Sequence, residues 1–285
     1  MFHTLQNEFL TVTISSHGAE LQSVRSAAGT EFLWQGDPAV WSGRAPVMFP
    51  ICGGLKDDRY TLEGQSHILT KHGFAKLEEF TLAEGDDRHA VFALRENPRT
   101  LPSFPFRFTF TVSFLLEGRT LRVCYAVENR DDRTLYCNVG AHEAYAAPEG
   151  IREYAVEFEK PETLSATVLH GNLLGEEIVP VLQNARILPL TPDFFQVDAL
   201  VFPTLSSRRV TLRHVPTGRA VTVDFEDFEH LLLWQKHDAR YLCVEPWDGL
   251  PDYEDADGDL SHKKSIRAVP AGENLARTHT ITFAE

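Results

Sequence analysis

Polar and apolar residues alternate with a period of two in six stretches of this chain: Leu10-Thr11-Val12-Thr13-Ile14, Thr109-Phe110-Thr111-Val112-Ser113-Phe114, Leu121-Arg122-Val123-Cys124-Tyr125-Ala126-Val127, Val210-Thr211-Leu212-Arg213, Val221-Thr222-Val223-Asp224-Phe225 and Thr280-Ile281-Thr282-Phe283. Successive side chains on an extended backbone point to opposite faces, so each stretch predicts a half-buried strand. Turn chemistry separates them at Glu117-Gly118, Asn129-Arg130-Asp131-Asp132, Pro216-Thr217-Gly218 and Pro270-Ala271-Gly272. No stretch carries a long, capped period of 3.6, so any helices are expected to be short. Many closely spaced strands predict an all-β, antiparallel sandwich or barrel, in which packing one sheet on another protects the strand edges. No low-complexity linker and no convincing repeat of about 20 to 50 residues divides the chain. One domain over residues 1–285 is therefore expected.

Composition narrows the partners. With 41 acids against 27 bases, the formal charge of −14 argues against a nucleic-acid backbone or an anionic membrane surface as partner. Hydrophobic residues make up 43%, enough for a sizeable core. The segment Met1-Phe2-His3-Thr4-Leu5-Gln6-Asn7-Glu8 lacks a basic region followed by an apolar one, and nothing later stays apolar for the ~18 residues of a membrane span. Cys52, Cys124, Cys137 and Cys243 are far apart with no Cys-x-x-Cys spacing, which argues against zinc ribbons and redox pairs. Reduced thiols in a cytoplasmic protein are expected.

Three islands carry the chemistry. Lys71-His72-Gly73-Phe74, Val139-Gly140-Ala141-His142 and Cys243-Val244-Glu245-Pro246-Trp247 each set one proton-handling side chain beside glycine, proline or an aromatic ring. Two imidazoles and a carboxylate that burial can tune suit proton transfer to and from sugar oxygens near neutral pH. Bland readings stand beside each. His72 in a loop could be a surface residue; His142, at a strand end beside glycine, could be a core histidine bonded to a carbonyl. Glu245 ends an apolar strand, so it is either paired structurally or held in a cleft with a raised pKa. Asp198 precedes an apolar strand and could simply be a turn residue. Arg44 precedes an apolar segment and is expected to find a carboxylate or a ligand hydroxyl. Trp234 and Trp247 could offer platforms for sugar rings or fill the core.

Rival motifs fail. The chain has no Gly-x-Ser-x-Gly elbow, Walker A loop, dinucleotide fingerprint or His-Glu-x-x-His pair. The acidic run from Asp252 to Asp259 suggests a calcium loop, but with Gly258 as its sixth position Tyr253 falls first and Lys264 twelfth, where oxygen ligands are required. A solvated acidic loop is expected instead. Asp198 and Glu245 could serve a glycosidase only at a fixed separation, which sequence does not measure.

Taken in order, the islands resemble the aldose 1-epimerase (galactose mutarotase-like) family, and more closely its branch of aldose and hexose-6-phosphate epimerases. The resemblance covers nearly the whole chain: Gly18-Ala19-Glu20-Leu21, Glu31-Phe32-Leu33-Trp34-Gln35-Gly36, Arg44-Ala45-Pro46-Val47-Met48-Phe49-Pro50, His72-Gly73-Phe74-Ala75, Gly140-Ala141-His142, Asp198-Ala199-Leu200 and Glu245-Pro246-Trp247. It implies a large β-supersandwich and interconversion of aldose anomers with no metal or coenzyme. By the same resemblance, Glu245 is the general base, His142 the general acid, and His72, Arg44 and Asp198 bind substrate. The implied partner is a small sugar or sugar phosphate, with the protein a monomer or homodimer.

Two departures stand out. Glu143 follows the second histidine where the family commonly has proline, and is expected to place a carboxylate beside His142 and raise its pKa. Lys76 stands where the branch usually has arginine, replacing a bidentate oxyanion clamp with a point charge. Arg44, Lys71 and Lys76 form a candidate phosphate clamp, although the overall negative charge leans toward neutral sugars. Two competing readings are a non-catalytic carbohydrate-binding module on the same fold, in which the aromatics would matter and Glu245 would not, and a glycoside hydrolase or lyase.

Overall fold

A computed structural model describes residues 1–285. All six predicted strands are present, most of them longer than their alternating cores: Leu10–Ser15, Phe108–Glu117, Thr120–Asn129, Arg209–His214, Ala220–Asp224 and Asn274–Ala284. Alternation decides what each strand buries. Along Phe108–Glu117 the side chains of Phe108, Phe110, Val112, Phe114 and Leu116 are in the core, and the intervening residues are partly exposed. Gly118, at φ +57°, turns this strand into the next. Helical structure is limited to five single 3-10 turns, at Lys56–Asp58, Ala75–Leu77, Ile151–Glu153, Pro192–Phe195 and Leu260–His262.

Thirteen strands form one antiparallel sheet. Its order in space is Glu143–Ala146, Tyr241–Trp247, His230–Trp234, Leu200–Phe202, Tyr154–His170, Arg209–His214, Ala220–Asp224, Asn274–Ala284, Thr120–Asn129, Phe108–Glu117, His89–Arg95 and Thr81–Gly85, with Leu173–Pro189 paired onto Tyr154–His170. One hydrophobic core takes residues from both ends of this order, Leu242 and Val244 at one and Phe92 and Leu94 at the other. The sheet therefore curls back on itself, as a right-handed twist accumulated over so many strands requires. A separate three-stranded sheet, Phe2–Gln6, Leu10–Ser15 and Glu20–Ser26, contributes Leu5, Val12 and Ile14 to the same core. The architecture is the expected all-β supersandwich.

The hairpin of Tyr154–His170 and Leu173–Pro189 was not predicted by alternation. Four register shifts interrupt its pairing, and Pro180 and Pro189 lie on its outer strand. Proline lacks the N–H needed for a central ladder, so its place is an edge. There it also discourages pairing with another chain.

The acidic run corrects one expectation. Asp252 is buried, accepts from the Lys56 backbone N–H at 3.0 Å and pairs with the buried Lys263 ammonium at 2.8 Å. Only the later part of the run, around Asp255 and Asp257, is solvated.

Candidate active site

Strand register brings the catalytic candidates together. Glu143 pairs with Val244 and Ala144 with Cys243 between adjacent antiparallel strands. Continuing that register by one residue sets His142 opposite Glu245 on the same face, and the His142 Nδ1 atom lies 3.5 Å from Glu245 Oε1. Several contacts clamp the two segments. The Ala141 N–H donates to the Pro246 carbonyl at 3.0 Å, Asp248 N–H to the Val139 carbonyl at 3.2 Å, and Trp247 Nε1–H to the Ala141 carbonyl at 3.1 Å. In return, the Val139 N–H donates to the buried Asp248 carboxylate at 2.9 Å. Gly140 makes the approach possible, since a Cβ there would meet Met48 Cε at 2.7 Å and Cys52 Sγ at 2.9 Å.

His72 arrives from a third segment. Phe49 stacks on Phe110 at 4.4 Å and meets Phe74 edge to face at 5.8 Å, which fastens the His72-Gly73-Phe74 turn to the core. A Cβ on Gly73 would lie 2.2 Å from the Phe49 carbonyl oxygen, so only glycine fits. His72 itself adopts φ +68°, held by its N–H donating to the Gly53 carbonyl at 2.8 Å and by the Gly53 N–H donating to its Nδ1 at 3.1 Å. Because Nδ1 accepts, the ring proton sits on Nε2. The His72 ring packs edge to face against both His142 and Trp247, at 5.4 Å in each case.

These side chains line an open cleft of about 800 Å³ together with Asp198, Lys71, Lys76, Trp41 and Trp234. A smaller cavity of about 180 Å³, against the acidic run, contains none of them. Four of the five predicted site residues thus share one cleft. Arg44 does not. Its Nη1 donates to the Gln22 carbonyl at 2.8 Å, and its backbone N–H to Glu20 Oε1 at 3.1 Å, so a main-chain oxygen takes the place of the expected carboxylate or ligand. Both tryptophans line the cleft: Trp247 is buried in its wall against His72, and Trp234 is partly exposed.

Burial sets the electrostatics. Glu245 is only 2% exposed, and loss of water holds its carboxyl well above the usual range, while the Lys71 ammonium pulls it down. Loss of water pushes His142 down to about 3, and His72 well below its ordinary value, with Lys71 and Lys76 acting in the same direction. A dry site opposes charge on either partner of the His142 and Glu245 pair, so its resting form is neutral with one exchangeable proton. Lys76 is lowered to about 8 by burial and then by Lys71, and its Nζ donates to the Lys71 carbonyl at 2.9 Å.

Glu143 overturns another expectation. It follows His142 on the strand and therefore points to the opposite face, where it is buried and lies 3.0 Å from His279 Nε2. It does not raise His142, which burial lowers. Three features of the cleft were missed from sequence. Trp41 stacks on the His142 ring at 5.4 Å. Lys236 Nζ donates to the Val40 carbonyl at 2.9 Å, joining two segments of the rim. Cys243, on the same face as Glu245 by its two-residue spacing, is fully buried behind the cleft and packs with Trp41 and Trp234.

An antiparallel β-supersandwich with histidines and a buried glutamate in one open cleft is of the galactose mutarotase-like class. The family model described as aldose 1-epimerase matches residues 1–264. The chain belongs to that family. Among curated relatives, the chromosomal protein LacX of Lactococcus lactis subsp. lactis is 32% identical, the match covering 98% of each chain. The structure of a galactose mutarotase related enzyme from Lactobacillus acidophilus superposes with a TM-score of 0.95 at 32% identity, over 100% of this chain and 98% of that one. A galactose mutarotase-like protein from Lactobacillus casei gives 0.94 at 27% identity, over 100% of both chains.

Proposed function

We propose that this protein is an aldose 1-epimerase, interconverting the α and β anomers of an aldohexose by acid/base opening and closure of the ring. The observation that carries the reading is the buried pair of His142 Nδ1 and Glu245 Oε1, 3.5 Å apart at an open cleft. The hemiacetal hydroxyl and the ring oxygen share one carbon, so one bound sugar can present both to the two groups. Glu245 as carboxylate takes the hydroxyl proton while His142 as imidazolium delivers one to the ring oxygen. The C1–O5 bond breaks, the aldehyde forms, and rotation about C1–C2 presents its other face. Closure reverses both transfers, leaving the protein's proton count unchanged.

The working form differs from the neutral resting form by one proton moved from Glu245 to His142. Lys71 favours the carboxylate half of that exchange and opposes the imidazolium half. His72 offers Nε2–H as a donor to a substrate oxygen, and Trp41 and Trp234 supply apolar surface for a ring face. Holding the opened chain in place contributes more than either proton transfer alone.

Lys71 and Lys76 lie near one another in the same cleft and favour an aldose with an anionic substituent, such as a hexose 6-phosphate, over its neutral parent. Saturation-transfer NMR or polarimetry on freshly dissolved hexoses and their 6-phosphates tests both parts. Anomer exchange faster than in buffer is expected, with the phosphorylated sugars preferred. No acceleration with any of them would overturn the reading.

A further inference from the structure

We propose that His142, Cys243 and Glu245 form a binding site for one divalent cation of the zinc class, and that its occupancy switches the catalytic pair off. Their ligand atoms all lie within 4.8 Å of one another. Two tetrahedral ligands about 2.0–2.2 Å from zinc stand about 3.4 Å apart. The His142 Nδ1 to Glu245 Oε1 distance is 3.5 Å, which matches that edge and exceeds the range of a good hydrogen bond. Nδ1 is buried and has no hydrogen-bond partner, so its lone pair is available without breaking a contact.

The backbone supplies the third ligand. Cys243 and Glu245 are alternate residues on one strand and therefore face the same way, and Ala144, two residues after His142, is the register partner of Cys243. A thiolate, an imidazole and a carboxylate form a mixed set that suits zinc and its soft neighbours and is a poor match for magnesium or calcium. His142 and Glu245 both line the cleft and Cys243 lies buried behind them, so an ion held by the three would sit in the cleft wall. Three protein ligands with one open position are a common zinc arrangement. The thiol loses its proton on binding. With the metal on Nδ1 the imidazole can no longer become the imidazolium that delivers a proton, and with its charge drawn onto the ion the carboxylate is a much weaker base. This inhibition rests on the epimerase reading above; metal binding does not, and the two are measured separately.

The test uses untagged full-length protein, titrated with Zn²⁺ by calorimetry and with Co²⁺ by absorption spectroscopy, alongside Cys243→Ser and Cys243→Ala. Binding of one equivalent is expected, with a thiolate-to-cobalt charge-transfer band that both variants lose. Zinc affinity should fall at least tenfold in each variant. In the wild-type protein anomer exchange should be lost in proportion to bound zinc, and in the variants inhibition should need at least tenfold more metal. No binding at micromolar zinc, a cobalt spectrum without the thiolate band, or affinity unchanged in both variants would each overturn the site. Stoichiometric binding through Cys243 with undiminished exchange would overturn the switch alone.

Discussion

Replacing Glu245 with glutamine removes the proposed proton acceptor while keeping the shape of the side chain. General-base catalysis contributes about two to four powers of ten in rate. Glu245 is 2% exposed, so bulk water has little access to take its place and the upper half of that range applies. At about 1.36 kcal/mol for each factor of ten, the barrier should rise by about 4–5.5 kcal/mol. The fold should not suffer. Burial holds the native carboxyl above its unfolded value, so the native state binds the proton more tightly, and wild-type stability falls as pH rises from about 4.3 toward the native pKa. The amide escapes this penalty: Glu245→Gln should match wild type in urea unfolding at pH 4 and equal or exceed it at pH 7. Saturation-transfer NMR reads the exchange rate, and calorimetry with a non-reacting sugar analogue reads binding. Exchange within threefold of wild type would show that Glu245 is not the base. A slow variant that is also less stable at pH 7 would instead identify Glu245 as a structural residue.

Three further predictions address the supports of the site. Gly140→Ala inserts a methyl group 2.7 Å from Met48 Cε and 3.0 Å from Trp247 Cδ1, which should cost about 1–3 kcal/mol in urea unfolding and slow exchange by displacing His142. If Lys76 holds an anionic substituent, its pKa of about 8 in the free protein makes kcat/KM for a hexose 6-phosphate fall above pH 8, as the ammonium loses its proton. A neutral hexose should show no such decline, and Lys76→Met should abolish it; a shared decline would place the titrating group elsewhere. Lys263→Met leaves Asp252 buried without its cation and should cost about 3–5 kcal/mol in urea unfolding at pH 7. A loss below 1 kcal/mol would mean that the Lys56 N–H already satisfies Asp252.

The strands that show themselves in the sequence are those with one wet face, such as Phe108–Glu117, where burial follows a period of two. Tyr241–Trp247 is buried throughout and Leu173–Pro189 carries two prolines, so neither shows that period. Of the site, His72, His142, Asp198 and Glu245 were legible through motif and context. What brings them together was not, because the register between strands about a hundred residues apart is set by packing across the sheet and not by any local pattern. Arg44 misled for the same reason: its neighbours in sequence are apolar, but the oxygen that receives its guanidinium belongs to Gln22 on the strand Glu20–Ser26. The orientation of Glu143 was within reach, since consecutive strand residues point to opposite faces. Trp41 carried only a weak signal, one aromatic ring in the loop segment Val40-Trp41-Ser42-Gly43.

The pairing of Glu143–Ala146 with Tyr241–Trp247 constrains how this protein can change over time. Along that short ladder, a deletion or insertion of one amino acid would shift every partner by a step and exchange inside for outside. The imidazole would turn inward toward His279, and the acid next to it would swing into the sugar's path. Substitutions at these positions can be sampled one by one, but a change of length between Gly140 and Ala146 would have to be matched at once by a compensating change on the facing strand. Length variation among descendants of this gene should therefore collect elsewhere, in places such as the outer hairpin, whose irregular pairing already absorbs extra residues.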